Sequence, residues 1–152
     1  MKFREVIKDS FVILGYSSAG KWNGDIVYPI PQLWDEATKF IDNNINEIVG
    51  VCLPPRSDHY FYTCGIEIES VDYFKIENGM TLHTFPEQKY VVFKHIGPSN
   101  KIPNTYWKLW RVFDEEGYMI KEGMPEIEVV KVDMVGKEES EEYEMEIWVP
   151  VQ

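Results

Sequence analysis

Basic residues are scarce in this chain of 152 residues, which has 15 Lys and Arg against 26 Asp and Glu and a formal net charge of −11. Proteins that bind nucleic acid or anionic membranes in general need clustered Lys and Arg to displace counterions. The composition therefore argues against direct nucleic-acid binding and against a membrane-surface role. Cationic ligands, or neutral aromatic ones, are more compatible with the negative electrostatic field of such a chain. Most of the negative charge lies in residues 114–146, which form either a solvated surface or an acidic mouth that attracts cations.

Cysteine and long apolar runs are also scarce. Cys52 and Cys64 have no CxxC spacing, and we expect them to be small core residues rather than a disulfide framework. No apolar run approaches the roughly 20 residues that a membrane helix needs. Residues 1–10 do not resemble a signal peptide. These features predict a cytoplasmic protein, and the length with 44% apolar residues predicts a single folded domain over 1–152.

The motifs of common catalytic and cofactor sites are missing or incomplete. The segment GYSSAGK at residues 15–21 fits the start of a P-loop, but Trp22 stands where Ser or Thr would hold Mg²⁺. His59, His83 and His95 show no metal-ligand spacing, and no GxSxG nucleophile elbow is present. We therefore predict no metal and no cofactor.

Hydrophobic patterning divides the chain into two similar halves. The first half predicts strands at 11–16, 48–53 and 60–68 and a helix at 33–45, with Gly65 marking a bulge or a close approach of backbones. The second half predicts strands at 90–96, 126–132 and 144–149 and a helix at 102–114. The connecting segment 71–82 is a candidate for an extra strand.

A short sequence match supports a duplication. Ile30-Pro31-x-x-Trp34 parallels Ile102-Pro103-x-x-Tyr106 at an offset of 72 residues. The predicted fold class is α+β, with duplicated strand–helix–strand–strand modules at about 1–70 and 83–152. Together they would form a curved, mostly antiparallel sheet with two main helices and a central ligand groove.

Aromatic residues are plentiful, with 5 Trp, 9 Tyr and 8 Phe making 14% of the chain. Such rings stack on flat apolar ligands and hold cations against their faces. Six of them are candidate ligand-binding residues: Trp34, Tyr60, Tyr62, Trp107, Trp110 and Trp148.

A carboxylate is the other candidate binding group. In the strand PEIEVVKV, Ile127 and Val129 alternate with Glu126 and Glu128. If the apolar pair packs into the core, Glu128 points into the groove, where it would attract an organic cation or act as a general base. The alternative is that both glutamates face water.

These segments together resemble a known family, the GyrI-like small-molecule-binding domain. The resemblance rests on the order of YVVFKHIGP at 90–98, the helix Thr105-Tyr106…Trp110 with Glu116-Gly117-Tyr118, Pro125-Glu-Ile-Glu128, and EIWVPV at 146–151. In the first half it rests on Tyr62-x-x-Gly65-Ile66-Glu67.

The resemblance implies a central pocket for hydrophobic, often cationic or aromatic compounds, with a pocket glutamate at the position of Glu128. The same module is the effector-binding domain of AraC-type and MerR-type regulators, and it stands alone in integron-associated proteins. Families of this type often have Tyr at the position of Val130. Since no helix-turn-helix segment precedes the first predicted strand, a separate protein partner would have to transmit any signal.

Three functions remain open at this point. The first is a non-catalytic, multidrug-type binding module. The second is a small hydrolase of strained aromatic natural products, in which Glu128 activates water. The third is an acidic interaction module, similar to gyrase inhibitors, that uses residues 138–142.

Overall fold

A computed structural model of the protein describes residues 1–21, 30–53, 59–71 and 75–152. These residues form one eight-stranded sheet with two α-helices, which confirms the α+β prediction. The strands are β1 (Phe3–Lys8), β2 (Phe11–Lys21), β3 (Glu47–Leu53), β4 (His59–Ile68), β5 (Met80–Phe85), β6 (Gln88–Ile96), β7 (Glu126–Lys131) and β8 (Glu144–Pro150). The helices are α1 (Ile30–Ala37) and α2 (Ile102–Glu116).

The sheet is strongly curled. Its strand order is β1-β6-β8-β7-β3-β4-β2-β5, with antiparallel neighbours throughout. Only residues 9 and 10 join β1 to β2, although these strands lie near opposite edges of the sheet. The edges must therefore approach each other. An ion pair of 3.0 Å between Lys8 Nζ on β1 and Glu67 Oε1 on β4 also joins strands that are far apart in the sheet order.

Each half contributes a strand–helix–strand–strand unit, β2-α1-β3-β4 and β6-α2-β7-β8. The two units meet where β3 pairs with β7 at the middle of the sheet. The remaining strands cross over, because β1 pairs with β6 of the second unit and β5 pairs with β2 of the first. This exchange ties both units into one body.

The two faces of the sheet have separate cores. On the inner, concave face, apolar side chains from both ends of the sheet form one cluster that contains no helix residue: Phe11, Ile13, Val49, Val51, Phe85, Tyr90, Val92, Ile127 and Val129. On the outer face, α1 buries Leu33 and Ala37 against β3 and β4, and α2 buries Leu109 and Phe113 against β6, β7 and β8. Side chains alternate between these faces along each strand.

Local signals define the helix ends. Pro103 lies in the first turn of α2, where its missing N–H costs nothing, and Gly117 ends the helix with a φ of 74°. The helix α1 is shorter than predicted, because its last turn continues as a 3₁₀ turn at Thr38–Phe40. Within the described ranges no helix has the length and apolar character to cross a membrane.

Two strand predictions differ from the structure. Strand β1 (FREVIK) escaped prediction because its apolar and charged residues do not alternate, and it is stabilised by pairing with the distant β6. Strand β2 continues to Lys21 instead of ending in a loop, so the P-loop-like segment is extended backbone paired with β4. Of the two alternatives predicted at Gly65, the structure has the close approach and not the bulge, since the β2–β4 register is continuous and an added Cβ would lie 1.9 Å from the carbonyl oxygen of Leu14. The connecting segment leads into an extra strand, β5, but this strand begins only at Met80 and runs on to Phe85.

Candidate functional site

Glu128 lies at the centre of the sheet on the outer, helix-bearing face. Its neighbours Ile127 and Val129 belong to the inner core, so the alternation along β7 directs the glutamate toward the helices. In the register of the sheet, Glu128 stands opposite Gly50 of β3 and Ile147 of β8. The carboxylate therefore sits where the two units join.

Tyr62 can reach Glu128 because the residue between them on β3, Gly50, has no side chain. Tyr62 comes from β4, one strand further away, and its ring lies across Gly50 to reach β7. The Tyr62 hydroxyl donates a hydrogen bond of 3.1 Å to Glu128 Oε1. A Cβ atom at position 50 would lie 2.0 Å from that hydroxyl oxygen, so any side chain there would displace the tyrosine.

Both helices add an aromatic ring. From α1, Trp34 Nε1 donates a hydrogen bond of 3.1 Å to the Tyr62 hydroxyl, and the Trp34 ring packs against the clusters of both helices. From α2, Tyr106 lies close enough to Glu128 and Glu126 that, after burial, their negative charges further raise the pKa of its hydroxyl. We call these five residues, Trp34, Tyr62, Tyr106, Glu126 and Glu128, the Glu128 site.

The environment of Glu128 disfavours its charged form. Burial raises the pKa of this carboxyl from 4.5 to about 7, with the hydrogen bond from Tyr62 acting in the opposite direction and Glu126 adding to the rise. Part of the residue's surface is still accessible, as expected of a group that lines a concavity. Among the described residues no Lys, Arg or His forms an ion pair with it. A carboxylate buried without a cation is costly.

The two cysteines border this site as thiols. Cys64 is buried and Cys52 is half-buried. Burial raises the pKa of Cys52 to about 12, helped by the charges of Glu128 and Glu126. Burial also raises the pKa of Cys64. Because a thiolate is the reactive form, neither cysteine is a nucleophile near neutral pH.

The structure brings together three of the seven residues predicted to bind ligand, namely Trp34, Tyr62 and Glu128. Tyr60 is buried on the same face in the α1 cluster. Trp110 lies one turn beyond Tyr106 and packs edge-on against Phe113.

Two predicted residues lie elsewhere. Trp107 is 75% exposed on the solvent side of α2. Trp148 belongs to the inner face, where it packs edge-on against Tyr90. The aromatic count alone could not separate these rings from those at the site, because it carries no information on helix face or strand parity.

Sequence reasoning did not select Tyr106 or Gly50. Tyr106 occupies the position in α2 that Trp34 occupies in α1, so the 72-residue offset carried a signal for it. Gly50 had no local signal beyond being a glycine within an apolar strand. Its role arises only because Tyr62 crosses it.

Replacing Tyr62 by Phe should raise the pKa of Glu128 further above 7, because the hydrogen bond from Tyr62 lowers that pKa. Carboxyl ¹³C NMR of the protein across pH 5–9 would measure the change. Tyr60→Phe is the matched control, since Tyr60 lies on the same face of β4 and should leave the Glu128 titration unchanged. An unaltered midpoint in Tyr62→Phe would show that this hydrogen bond does not form in solution.

Comparisons with known proteins agree with this architecture. The sequence model of the GyrI-like small molecule binding domain matches residues 1–152. The transcriptional regulator BrlR of Pseudomonas aeruginosa is 27% identical over 134 residues, which cover 82% of this chain and 46% of BrlR. The chain thus spans about half the length of this curated relative.

Solved structures share the fold. The structure of SAV2435 bound to tetraphenylphosphonium superposes with a TM-score of 0.77 at 19% identity, covering 100% of this chain and 94% of that one. A hydrolase encoded by lin2189 from Listeria innocua superposes with a TM-score of 0.62 at 12% identity, covering 99% of this chain and 92% of that one. At these identities the likeness concerns the fold.

Proposed function

The chain belongs to the GyrI-like family of small-molecule-binding domains, and on that premise we propose that its ligand is a hydrophobic organic cation bound between α1 and α2 against Glu128. The observation that carries this proposal is the buried carboxylate of Glu128. It lies among the side chains of Trp34, Tyr62 and Tyr106, and the described residues provide no cation for it. A ligand cation would remove the cost of burying that charge.

The surroundings of Glu128 suit such a ligand. Aromatic faces attract cations electrostatically and bury apolar rings at the same time. The hydrogen bond from Tyr62 to Oε1 holds the carboxylate in one orientation. Within the described part of the chain no residue donates a hydrogen bond to the second oxygen, which is left for the ligand. The site therefore favours a cation that carries aromatic or aliphatic groups over a small inorganic ion.

The relatives support an effector role. SAV2435 has been solved with tetraphenylphosphonium, a hydrophobic cation, and BrlR is a transcriptional regulator. We propose that ligand binding here serves either to signal through a separate regulatory protein or to sequester the compound. Pull-down of a partner with and without ligand separates these two roles.

The affinity for a permanent cation should depend on pH. Tetraphenylphosphonium carries no titratable proton, so only the protein can produce the dependence. Because the pKa of Glu128 is about 7, we expect affinity to fall by about tenfold for each pH unit below 7 and to level off above 8. Isothermal titration calorimetry from pH 5 to 9 would measure it, with neutral triphenylphosphine oxide as control. Equal pH profiles for both compounds would contradict the proposal.

A second candidate is hydrolysis with Glu128 as general base. A carboxylate with a pKa of about 7 is well placed to accept a proton near neutral pH, and Tyr62 offers an adjacent hydroxyl. This function requires turnover. Product formation from a strained aromatic substrate, lost in Glu128→Gln, would favour it, while binding without turnover would leave the ligand-binding role.

A further inference from the structure

A cavity separate from the Glu128 site lies at the end of the sheet where β3 begins and β4 ends, and we call it the inner-face cavity. Its volume is about 830 Å³, within the range of small-molecule sites. Side chains of inner-face parity, from Phe11, Phe85, Glu47 and Glu67, line it together with Val12, Ile66 and Ile68, which have the opposite parity. None of the residues of the Glu128 site lines it.

Glu47 lies where three concavities at this end of the sheet meet. Two smaller concavities adjoin the cavity, one toward Lys94 and Met134 and one toward Ile13 and Trp148. Glu47 lines all three. As the first residue of β3 it shares the inward parity of Val49 and Val51, so its half-buried side chain faces the concave side.

The carboxylate of Glu47 has no partner among the described residues, whereas its acidic neighbours do. Glu67 pairs with Lys8 at 3.0 Å, and Glu146 pairs with Arg4 at 2.9 Å. Glu146 also accepts a hydrogen bond of 2.9 Å from Trp148 Nε1. Burial raises the pKa of Glu47, and the charges of Glu67 and Glu146 raise it further.

Apolar side chains line the cavity beside these carboxylates. They include Ile66, Ile68 and the rings of Phe11 and Phe85, which stack with their centroids 4.8 Å apart. This combination of an unpaired carboxylate with an apolar, ring-bearing wall offers charge pairing to one end of a ligand and contact area to the rest.

We propose that the inner-face cavity is a second ligand site, which takes a primary or secondary amine with an apolar body and pairs its ammonium group with Glu47. An anionic ligand is disfavoured because Glu47, Glu67 and Glu69 all line the cavity. Lys8 and Lys131 lower the pKa of Glu47, but their effect is smaller than the rise caused by Glu67 and Glu146. Lys8 is itself engaged, since it pairs with Glu67 and lies 4.7 Å from the centre of the Phe11 ring. This proposal does not depend on a cation binding at Glu128.

The test uses 4-phenylbutylamine as the probe and 4-phenylbutanol as its neutral counterpart. Titrations are followed by ¹H–¹⁵N NMR in the Glu128→Gln protein, in which the outer site has lost its charge. The amine should shift amides of the cavity wall at Phe11, Glu47 and Phe85, and the alcohol should bind at least about tenfold more weakly. Adding Glu47→Gln should reduce the amine affinity by about tenfold and leave that of the alcohol unchanged.

The controls separate this site from the outer one. Glu126→Gln in the same background changes an acid on the outer face and should leave amine binding at the inner face unaltered. Thermal melts confirm that each variant is folded. Absence of inner-face shifts in Glu128→Gln, or amine affinity unchanged by Glu47→Gln, would overturn the second site. Shifts confined to Trp34 and Tyr62 would also overturn it, without affecting the proposed function.

Discussion

Replacing Glu128 by Gln is expected to weaken the binding of tetraphenylphosphonium by at least about 30-fold, the usual consequence of removing one partner of a buried charge pair. Glutamine keeps the shape of the side chain and can still accept the hydrogen bond from Tyr62, so the change removes mainly the charge. Neutral triphenylphosphine oxide gains little from that charge and should keep its affinity within about threefold. Tryptophan fluorescence and calorimetry would measure both ligands.

Glu126→Gln is the matched control, because Glu126 lies two positions earlier on the same face of β7 and accepts no hydrogen bond from Tyr62. Its effect on tetraphenylphosphonium should be smaller than that of Glu128→Gln. Equal losses for the cation and the neutral compound in Glu128→Gln would rule out the ion pair.

The same variant should be more stable than the wild type at alkaline pH. Between pH 4.5 and about 7 the folded state keeps a proton on Glu128 that the unfolded chain releases, so this group costs stability as pH rises through that interval. The full difference corresponds to about 3 kcal/mol above pH 7, and it vanishes below pH 4.5. Urea denaturation at pH 5 and pH 8 would show whether the gain from Glu128→Gln has this sign.

Replacing Gly65 by Ala is expected to destabilise the protein by more than about 3 kcal/mol, because the added methyl group meets backbone. A Cβ atom at position 65 would lie 1.9 Å from the carbonyl oxygen of Leu14 and 2.5 Å from the Cα of Gly15. Gly15 and Gly65 face each other across β2 and β4, the pair of strands that supports α1. Relief would require these strands to separate.

Gly20→Ala provides the comparison for Gly65→Ala. Gly20 lies on β2 as well, but the atom nearest to its added Cβ, at 2.7 Å, is the hydroxyl oxygen of Tyr60, the end of a side chain. A side chain can move where a paired backbone cannot, so the free energy of unfolding should fall less. Urea denaturation would measure both variants. Equal losses would contradict the view that backbone spacing at Gly65 limits the sheet.

Local sequence patterns predicted the order of strands and helices in the two units and the family, but not the end of β2 or the bounds of α1. The alternation in β7 identified which glutamates share a face, because the side-chain period of a strand is local information. The repeat of Ile-Pro-x-x-aromatic coincides with the starts of both helices, Ile30 of α1 and Ile102 of α2, although the helix predicted in the first half began three residues later, at 33.

The contacts between distant residues depend on the tertiary structure. Strand β1 and the exchange of edge strands depend on pairing between distant segments, which local propensity does not encode. The contact of Tyr62 with Glu128 requires β4, β3 and β7 to lie side by side with a glycine in the middle strand. The exposure of Trp107 and the partly buried position of Trp148 on the inner face follow from how the sheet curls and which helix face it covers. Because long-range packing sets these outcomes, residue type and spacing could identify aromatic residues as candidates for the site. They could not predict which of these residues lie close to Glu128.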